Sequence, residues 1–496
     1  MVVHFIYLVL FAQCDEARPA CGRCVKAKRV CPGYLTGLDL VLRPQNAVAK
    51  ATVERRQKAR DRDDLVPTNG RTSHHSDSLS PVSSPTSIPP VLPESESIHM
   101  LGFFFTSYVL YPHDPNTDRG YMEALPMIYP KTNTSLALSS AVTAVSQCIY
   151  GTWTRRTRDL AQLDASSAYI HALSTTSRAL LDPTEAAKDE TMMAICLLGF
   201  YEAMVDAYRS KLSSARHYKG AAALVENHKG GPRSELVNRM VMGIRRDLVV
   251  RAIDQGTSID MTSAIWQDRD DLPQNPATAF DLLSAEAANL LTKAKTILGS
   301  NKARHSEVTR FQKQELVNRA IACDSKFASW PHLLPTHLFP LSLQAAAVPV
   351  QVSRAGLYAD TCDIYYDIST CTLWNNWRSL RLKILKIVAE HGTQAERGVA
   401  IKSLQSLADE ICASIPFVLG DRKVFTPLWA SQVIYPGQGA LPKSHHLNAA
   451  AHGGWHLLDP MREVFYIAPQ YLRVGQLQWI CVQLNRLQRI YEAIRE

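Results

Sequence analysis

The sequence lacks the short motifs that mark common enzyme active sites. It contains no H-E-x-x-H metalloprotease motif, no G-x-S-x-G nucleophile elbow, no G-x-x-x-x-G-K-S/T phosphate loop and no G-x-G-x-x-G that opens a helix. These absences argue against zinc proteases, serine hydrolases, nucleoside triphosphatases and dinucleotide-dependent oxidoreductases. We therefore predict that the protein is not an enzyme.

Signals for membrane insertion and for secretion are also poor. Residues 1–13, MVVHFIYLVLFAQ, include an apolar stretch of signal-peptide length, but they have no lysine or arginine and no small-x-small cleavage site. The stretch is too short to span a bilayer. No membrane partner is predicted.

Most of the cysteines do not form a pattern. Seven of the eleven are scattered, mainly in apolar contexts such as AICLLGF and QWICVQL, which is not the arrangement of a secreted disulfide framework. We expect buried free thiols in a reducing compartment. These seven are Cys148, Cys196, Cys323, Cys362, Cys371, Cys412 and Cys481.

Four cysteines near the N-terminus do form a pattern. Cys14, Cys21, Cys24 and Cys31 stand at the spacing C-x6-C-x2-C-x6-C. Thiolates at short, fixed separations converge tetrahedrally on Zn²⁺, and metal binding supplies folding free energy that so short a segment cannot obtain from a core. The spacing predicts a zinc-thiolate site.

The segment QCDEARPACGRCVKAKRVCPGY resembles the later two-thirds of the fungal binuclear zinc cluster, C-x2-C-x6-C-x5-12-C-x2-C-x6-8-C. On that pattern Cys14 is the third cysteine, Cys21 is the fourth and bridges both metal ions, and Cys24 and Cys31 are the fifth and sixth. The flanking residues match as well. They are Asp15 and Glu16, Arg18 and Pro19, and Pro32, Gly33 and Tyr34. The resemblance implies a nuclear regulator of RNA polymerase II transcription that binds CGG-like DNA elements.

The chain departs from the family pattern before Cys14. Residues 1–13 contain neither the first C-x2-C nor the basic helix that reads base edges in the family. One zinc ion would keep three thiolates and the other two, so at most one zinc ion is expected here.

Two interpretations of residues 1–13 stay open. One is a secretion signal, which the missing basic residues disfavour. The other is a misassigned start, with non-coding sequence translated up to Gln13 and the missing cysteines encoded upstream. The abrupt change at Gln13–Cys14 favours the second interpretation.

Positive charge is concentrated at the N-terminal end. Residues 1–62 hold twelve lysines and arginines against five acids, a net charge of +7 out of +8 for the whole chain. A basic end on a near-neutral body is typical of a polyanion-binding arm, although any single basic residue also fits a solvated tail. The phosphate-contact candidates are Arg18, Arg23, Lys26, Lys28 and Arg29. The candidates for a basic helix or nuclear import signal are Lys50, Arg55, Arg56, Lys58, Arg60 and Arg62.

A low-hydrophobicity segment separates this arm from the rest. Residues 66–95 contain six prolines and eight serines and cannot bury enough apolar surface to offset the entropy of ordering, which predicts a disordered linker. The predicted division is a non-family N-terminus (1–13), a partial zinc cluster (14–34), a basic segment (35–65), this linker (66–95) and a helical domain (96–496).

The region after the linker has helical periodicity, so the predicted fold class is mainly α. In LALSSAVTAVSQCIY, apolar residues recur at three- and four-residue steps from Leu138 to Ile149. Asp182 and Pro183 supply a helix start. TMMAICLLGFYEAMV is apolar on nearly all sides and is expected at the centre of a bundle. The last helix, QLQWICVQLNRLQRIYEAIRE, is expected to place on one face Leu477, Ile480, Cys481, Leu484, Leu487 and Tyr491.

The body also resembles the fungal-specific transcription factor domain that follows zinc clusters. The matching stretches, in order, are FFFTSYV, GYMEALPMIYP, DPTEAAKDETMMAICLLGFYEAM, ARHYKGAAALVENHKGG, RRDLVVRAIDQG and PQYLRVGQLQWICVQLNRL. One departure is that the tryptophan usual before His-x-x-Gly-Ala is not found between Leu212 and Ala215.

A few isolated polar residues in the body could carry chemistry. His217 fits a ligand or base, but a lone helical histidine more often makes a packing or surface contact. Glu202, inside LLGFYEAM, requires a hydrogen-bond or cationic partner. The pairs His74–His75 and His445–His446 lie in loop-like sequence and are expected to be solvated.

Three hypotheses follow. The first is a zinc-cluster transcription regulator that binds DNA through its arm and regulates, or forms homo- or heterodimers, through its body. The second is a regulator deficient in DNA reading that acts through the helical body. The third is a helical enzyme or small-molecule-binding protein, which a deep polar pocket would support and a continuous apolar interior would oppose.

Overall fold

The computed structural model describes residues 96–492 with short gaps. The predicted zinc-thiolate segment, basic segment and linker, all within residues 1–95, lie outside the described residues. The gaps are residues 112, 119, 130–134, 154–157, 209–215, 228–232, 268–271, 273, 300–306, 424–425, 427–431, 438–440, 442–443 and 468.

Helices dominate the described residues, of which 78% are helical. This confirms the predicted mainly α class. The first long helices are α1 (Glu96–Ser107), α2 (Leu136–Trp153), α3 (Arg158–Leu181), α4 (Asp189–Tyr208), α5 (Arg216–Asn227), α6 (Glu235–Gln255) and α7 (Pro276–Gly299). They are followed by α8 (Glu307–Ser329), α9 (Val350–Gly356), α10 (Ile368–His391), α11 (Gln394–Leu419), α12 (Gly454–Tyr466) and α13 (Gln476–Glu492). Single helical turns lie at Leu125–Ile128, Pro183–Ala186 and His445–Asn448, and a π-helical turn lies at Ala449–Gly453.

In the described part of the chain, a small antiparallel sheet interrupts the helices. Strand β1 (Leu341–Gln344) pairs with β2 (Thr361–Ile364), so that Leu341 lies opposite Ile364. Strand β2 packs against α11. Cys362 on this strand joins Val348 and Val352 in a small apolar cluster of its own.

The first large apolar core is built around α4. Every residue from Thr191 to Gly199 is buried, and α4 packs against α2, α3, α5 and α6. This confirms that TMMAICLLGFYEAMV lies at the centre of a bundle. The predicted stripe on α2 is also confirmed, with Leu138 and Ile149 fully buried.

The second core lies among α8, α10, α11, α12 and α13. Helix α7 contributes to both cores: Ala285 and Ala288 belong to the first, whereas Phe280, Ala287 and Leu290 belong to the second. Small side chains on several sides let α7 approach α6, α8 and α10. Helix α7 is thereby one of the elements that join the two cores.

The structure tests two further predictions, the helix start at Asp182 and the apolar face of the last helix. Asp182 caps the turn Pro183–Ala186 by accepting a hydrogen bond from the Thr184 N–H at 2.8 Å, which confirms the predicted helix start. On α13, Ile480 and Leu487 are buried as expected. The most buried positions also include Gln476 and Gln483, so the inward face is rotated from the purely apolar line. Leu477, Cys481 and Leu484 are half-buried, and the Tyr491 side chain lies outside the described part.

The scattered cysteines are free thiols in the described region. Cys148 and Cys481 are half-buried, and the other five are buried. Burial raises the pKa of the Cys323 thiol to about 11 and that of Cys412 to about 12, so both are protonated at neutral pH. Among the helices of residues 96–492, none combines the length and hydropathy needed to cross a bilayer.

A buried arginine organises the polar groups inside the second core. Arg378 on α10 donates to the hydroxyl of Tyr365 at 2.8 Å, to Oδ1 of Asn375 at 3.0 Å and to the carboxylate of Glu410 on α11 at 3.0 Å. Its guanidinium also lies 5.5 Å from the centre of the Trp374 ring. Each of these partners gives the buried charge an interaction that replaces water.

Replacing Arg378 should therefore destabilise the protein strongly. In Arg378→Met the Tyr365 and Asn375 side chains lose a buried partner, and we expect a loss of about 3 kcal/mol in the free energy of unfolding. The measurement is denaturant unfolding followed by tryptophan fluorescence. Lys326→Met is the matched control, because Lys326 pairs with Glu286 at an exposed site and should cost less than about 1 kcal/mol. Equal losses in the two variants would contradict this account.

Candidate functional site

None of the residues predicted to bind metal or DNA can be placed in the fold. Cys14, Cys21, Cys24 and Cys31 and the basic residues from Arg18 to Arg62 lie outside the described residues, as do His74 and His75. Within the described ranges, no group of three or more His, Cys, Asp or Glu side chains is arranged to hold a metal ion. The structure does describe the isolated polar residues that were considered in the helical body, namely Glu202, His217, His445 and His446.

The structure brings His217 and Glu202 together. Nε2 of His217 on α5 lies 3.3 Å from Oε1 of Glu202 on α4. The hydroxyl of Tyr169 on α3 donates to the same carboxylate oxygen at 2.8 Å and lies 3.4 Å from the His217 Nε2. The ring of Tyr169 stacks on that of Tyr201 with centroids 4.4 Å apart, which fixes its position.

Burial and hydrogen bonding set the protonation of Glu202 and Tyr169. Burial tends to raise the pKa of Glu202, but hydrogen bonds from His217 and Tyr169 outweigh that effect and lower it. Burial and the hydrogen bond to Glu202 together raise the pKa of the Tyr169 hydroxyl. At neutral pH Glu202 is therefore a carboxylate, and the Tyr169 phenol is protonated.

The cluster gives Glu202 the hydrogen-bond partners that its apolar helix demands. This confirms the expectation that Glu202 is paired, and it shows His217 in a contact between helices. Tyr169 was not singled out from the sequence, because nothing local to HALS or SSAYI indicates an acidic partner more than thirty residues away. Chemically the cluster could accept or donate a proton. Structurally, its hydrogen bonds link α3, α4 and α5.

The prediction that His445 and His446 are solvated is wrong for His445. His445 is 2% exposed and lies in the helical turn His445–Asn448. Its Nε2–H donates to the Phe417 carbonyl at 3.0 Å, and its ring packs against those of Phe417 and Tyr435. The loop-like local sequence gave no sign of these two aromatic neighbours.

His445 also lines a small pocket at the start of α10. The pocket wall includes Asp367 and Asn448, and Asp367 is held by His113, whose backbone N–H donates to its carboxylate at 3.1 Å. Nδ1 of His445 and Oδ1 of Asn448 are buried and have no hydrogen-bond partner among the described residues. Because Nε2 carries the proton, Nδ1 is an acceptor.

The size of the pocket limits what it can take. The space open to the centre of a water molecule is about 10 Å³, which is room for roughly one water. A single water could donate to both His445 and Asn448. The pocket is too small for an organic ligand, so it is a structural feature of the core boundary.

Comparison of the chain with protein families, with characterised proteins and with solved structures finds no match in any of the three. The resemblance to zinc-cluster regulators therefore rests on the cysteine spacing and the ordered motifs of the sequence. Function has to be argued from those residues and from the geometry of the helical body.

Close contact between α4 and α5 at Gly199 sets the geometry of the Glu202 cluster. A Cβ at Gly199 would lie 2.9 Å from the Tyr218 ring and 3.2 Å from the His217 Cβ. We expect Gly199→Ala to cost about 1–3 kcal/mol of stability, because the rigid ring must move. In Gly220→Ala on α5, where nothing lies within 4 Å, the better helix propensity should instead stabilise by up to about 1 kcal/mol. Denaturant unfolding compares them, and a neutral Gly199→Ala would refute the close approach.

The buried His445 predicts a specific pH dependence of stability. Burial lowers its pKa to about 4, whereas an unfolded histidine takes up a proton near pH 6.5. The unfolded state thus binds more protons as pH falls through this window, and His445 alone lowers stability by about 2 kcal/mol between pH 7 and pH 5. His445→Gln keeps a donor for the Phe417 carbonyl but cannot be protonated, so its stability should fall by about 2 kcal/mol less over the same range.

The measurement is the free energy of unfolding at pH 7 and at pH 5. His171→Gln serves as the control, since His171 is exposed and its replacement should leave the pH dependence of the wild type intact. An unchanged pH dependence in His445→Gln would show that His445 is not buried as a neutral imidazole.

Proposed function

We propose that the protein is a nuclear transcription regulator of the fungal zinc-cluster class. Its N-terminal arm binds DNA, and its helical body regulates, dimerises or contacts the transcription machinery. The observation that carries the proposal is the C-x6-C-x2-C-x6-C segment with five lysines and arginines inside it. A helical enzyme or a small-molecule-binding protein would account for neither the thiolate spacing nor the basic residues within it.

The donor set fits zinc. Four cysteines at this spacing are a complete tetrahedral set for one Zn²⁺, and they would have to bind as thiolates. Bound zinc would cross-link the segment Cys14–Cys31 and fix the directions of the basic side chains between the cysteines. This chain's own contribution to DNA binding is then positive charge aimed at phosphates.

The interior of the helical body supports the proposal because it is mainly apolar and tightly filled. Its two large cores are apolar and share α7, its Asp367 pocket admits about one water, and its Tyr169–Glu202–His217 cluster is engaged between helices. Such an interior favours a scaffold for interactions over a catalytic chamber. The charge distribution agrees, because the last 434 residues are close to neutral and offer little attraction for DNA.

A second candidate is favoured by one specific observation. Residues 1–13 contain no C-x2-C and no basic residue, so a protein beginning at Met1 would lack the side chains that read bases in the family. It would be a regulator that acts through its helical body, for example paired with an intact relative. Sequencing the 5′ end of the native transcript separates the two candidates. Codons for C-x2-C and a basic helix upstream of Cys14 favour the first, and a start at Met1 favours the second.

DNA binding by the arm should be strongly salt-dependent. Lysines and arginines that neutralise phosphates release counterions, so the logarithm of the affinity falls linearly with the logarithm of the salt concentration. Replacing the five phosphate-contact candidates by glutamine should weaken binding and reduce that slope by about 0.9 for each phosphate no longer neutralised. Fluorescence anisotropy with a labelled CGG-containing duplex measures both effects. The five are Arg18, Arg23, Lys26, Lys28 and Arg29.

A matched control removes the same charge from the body. Five exposed basic residues are replaced by glutamine there, and binding should change little because they lie outside the arm. They are Lys188, Lys219, Lys326, Arg354 and Lys402. Binding that does not depend on salt, or equal losses of affinity in the two five-site variants, would refute the proposed role of the arm.

A further inference from the structure

Two histidines face each other where the π-helical turn Ala449–Gly453 continues into α12. His452 and His456 are four residues apart, their ring centroids are 4.3 Å apart, and their Nε2 atoms are hydrogen-bond partners. Both residues are half-buried.

The protonation of His452 is fixed by its other nitrogen. Nδ1 of His452 lies 2.7 Å from the backbone carbonyl of Tyr108, at the end of α1. A carbonyl oxygen can only accept, so Nδ1 carries the hydrogen and Nε2 presents a lone pair toward His456. An imidazole whose Nδ1–H is held by a carbonyl is the usual arrangement of a metal-ligating histidine, because it fixes both the tautomer and the ring direction.

We propose that His452 and His456 bind a divalent transition-metal ion of the zinc, nickel or copper type through their Nε2 atoms. On binding, the Nε2 hydrogen of His456 is lost to solvent and its Nδ1 takes one up, so that both Nε2 atoms present lone pairs to the ion. Imidazole nitrogen is a favoured ligand for these ions. At Zn–N distances of about 2.0–2.1 Å, a tetrahedral ion holds two nitrogens about 3.3 Å apart. A small opening of the two rings provides that separation, and solvent supplies the remaining ligands.

The charges around the pair set an upper limit on the affinity. Arg246 on α6 acts on His452 with a positive charge, which opposes cation binding. That charge is partly balanced by Asp247 and Glu123, both of which interact favourably with Arg246. With two protein ligands and this balance, the site is weaker than a four-ligand structural zinc site. Binding would tighten the contact between the start of α12 and the end of α1.

The test must separate this site from the four N-terminal cysteines, and cobalt does so. Co²⁺ held by thiolates gives an intense sulfur-to-metal charge-transfer absorption, which Co²⁺ held by imidazole and water lacks. We expect the full chain to bind a Co²⁺ equivalent without that absorption. His456→Ala should weaken this binding at least tenfold and leave any thiolate absorption unchanged. The exposed control His171→Ala should behave as the wild type does.

Thermal unfolding gives a second readout that does not depend on cobalt spectra. Saturating Ni²⁺ should raise the Tm of the full chain by about 2 °C or more, and His456→Ala should lose that shift. Circular dichroism verifies that His456→Ala is folded, and His456→Gln provides a replacement of similar polarity. If both variants keep the wild-type cobalt titration and the wild-type nickel shift, the two histidines only share a proton and the proposal is overturned.

Discussion

Burial of α7 on several sides is the constraint on which the rest of the helical body depends. A helix can lie between two cores only if its side chains are small where neighbours approach and large where space must be filled. Ala285 and Ala288 meet the first core, while Phe280 and Leu290 fill the second. The start of α7 is anchored by Trp330, whose indole N–H donates to the Pro276 carbonyl at 2.8 Å. Helices before and after α7 are thus positioned relative to one shared element.

The second requirement is that polar groups inside the cores be paired. Arg378 satisfies it through three side chains, and Arg245 does so differently, by donating to the backbone carbonyls of Ile265 and Gln267. Both arginines are almost completely buried. Because an unpaired buried guanidinium is costly, the loops and helices that carry these partners have little freedom to shift.

Sequence periodicity predicted the features that depend on neighbours about one helical turn away. The stripe on α2, the all-round burial of α4 and the Asp182 cap all follow from local spacing, and the structure confirms them. Sequence periodicity did not predict the environment of polar side chains whose partners lie far along the chain. Arg378 needs Glu410, Glu202 needs Tyr169, and His445 was expected in solvent because its aromatic neighbours are not visible in a loop-like sequence.

The proposed function joins two parts with different physical properties. The N-terminal residues 1–62 have the four patterned cysteines and nearly all the net charge, and the described helical body has the apolar cores. DNA binding is therefore expected to depend on the arm, whereas stability depends on the helical body. The cysteine spacing is what predicts the functional class, and the body's geometry constrains what the rest of the chain can add.

The most direct test of this account is chromatin immunoprecipitation of the protein, tagged at its own locus. The account predicts enrichment at discrete chromosomal sites that contain CGG-like elements. A uniform background across the chromosomes, with the tagged protein present and folded, would contradict it.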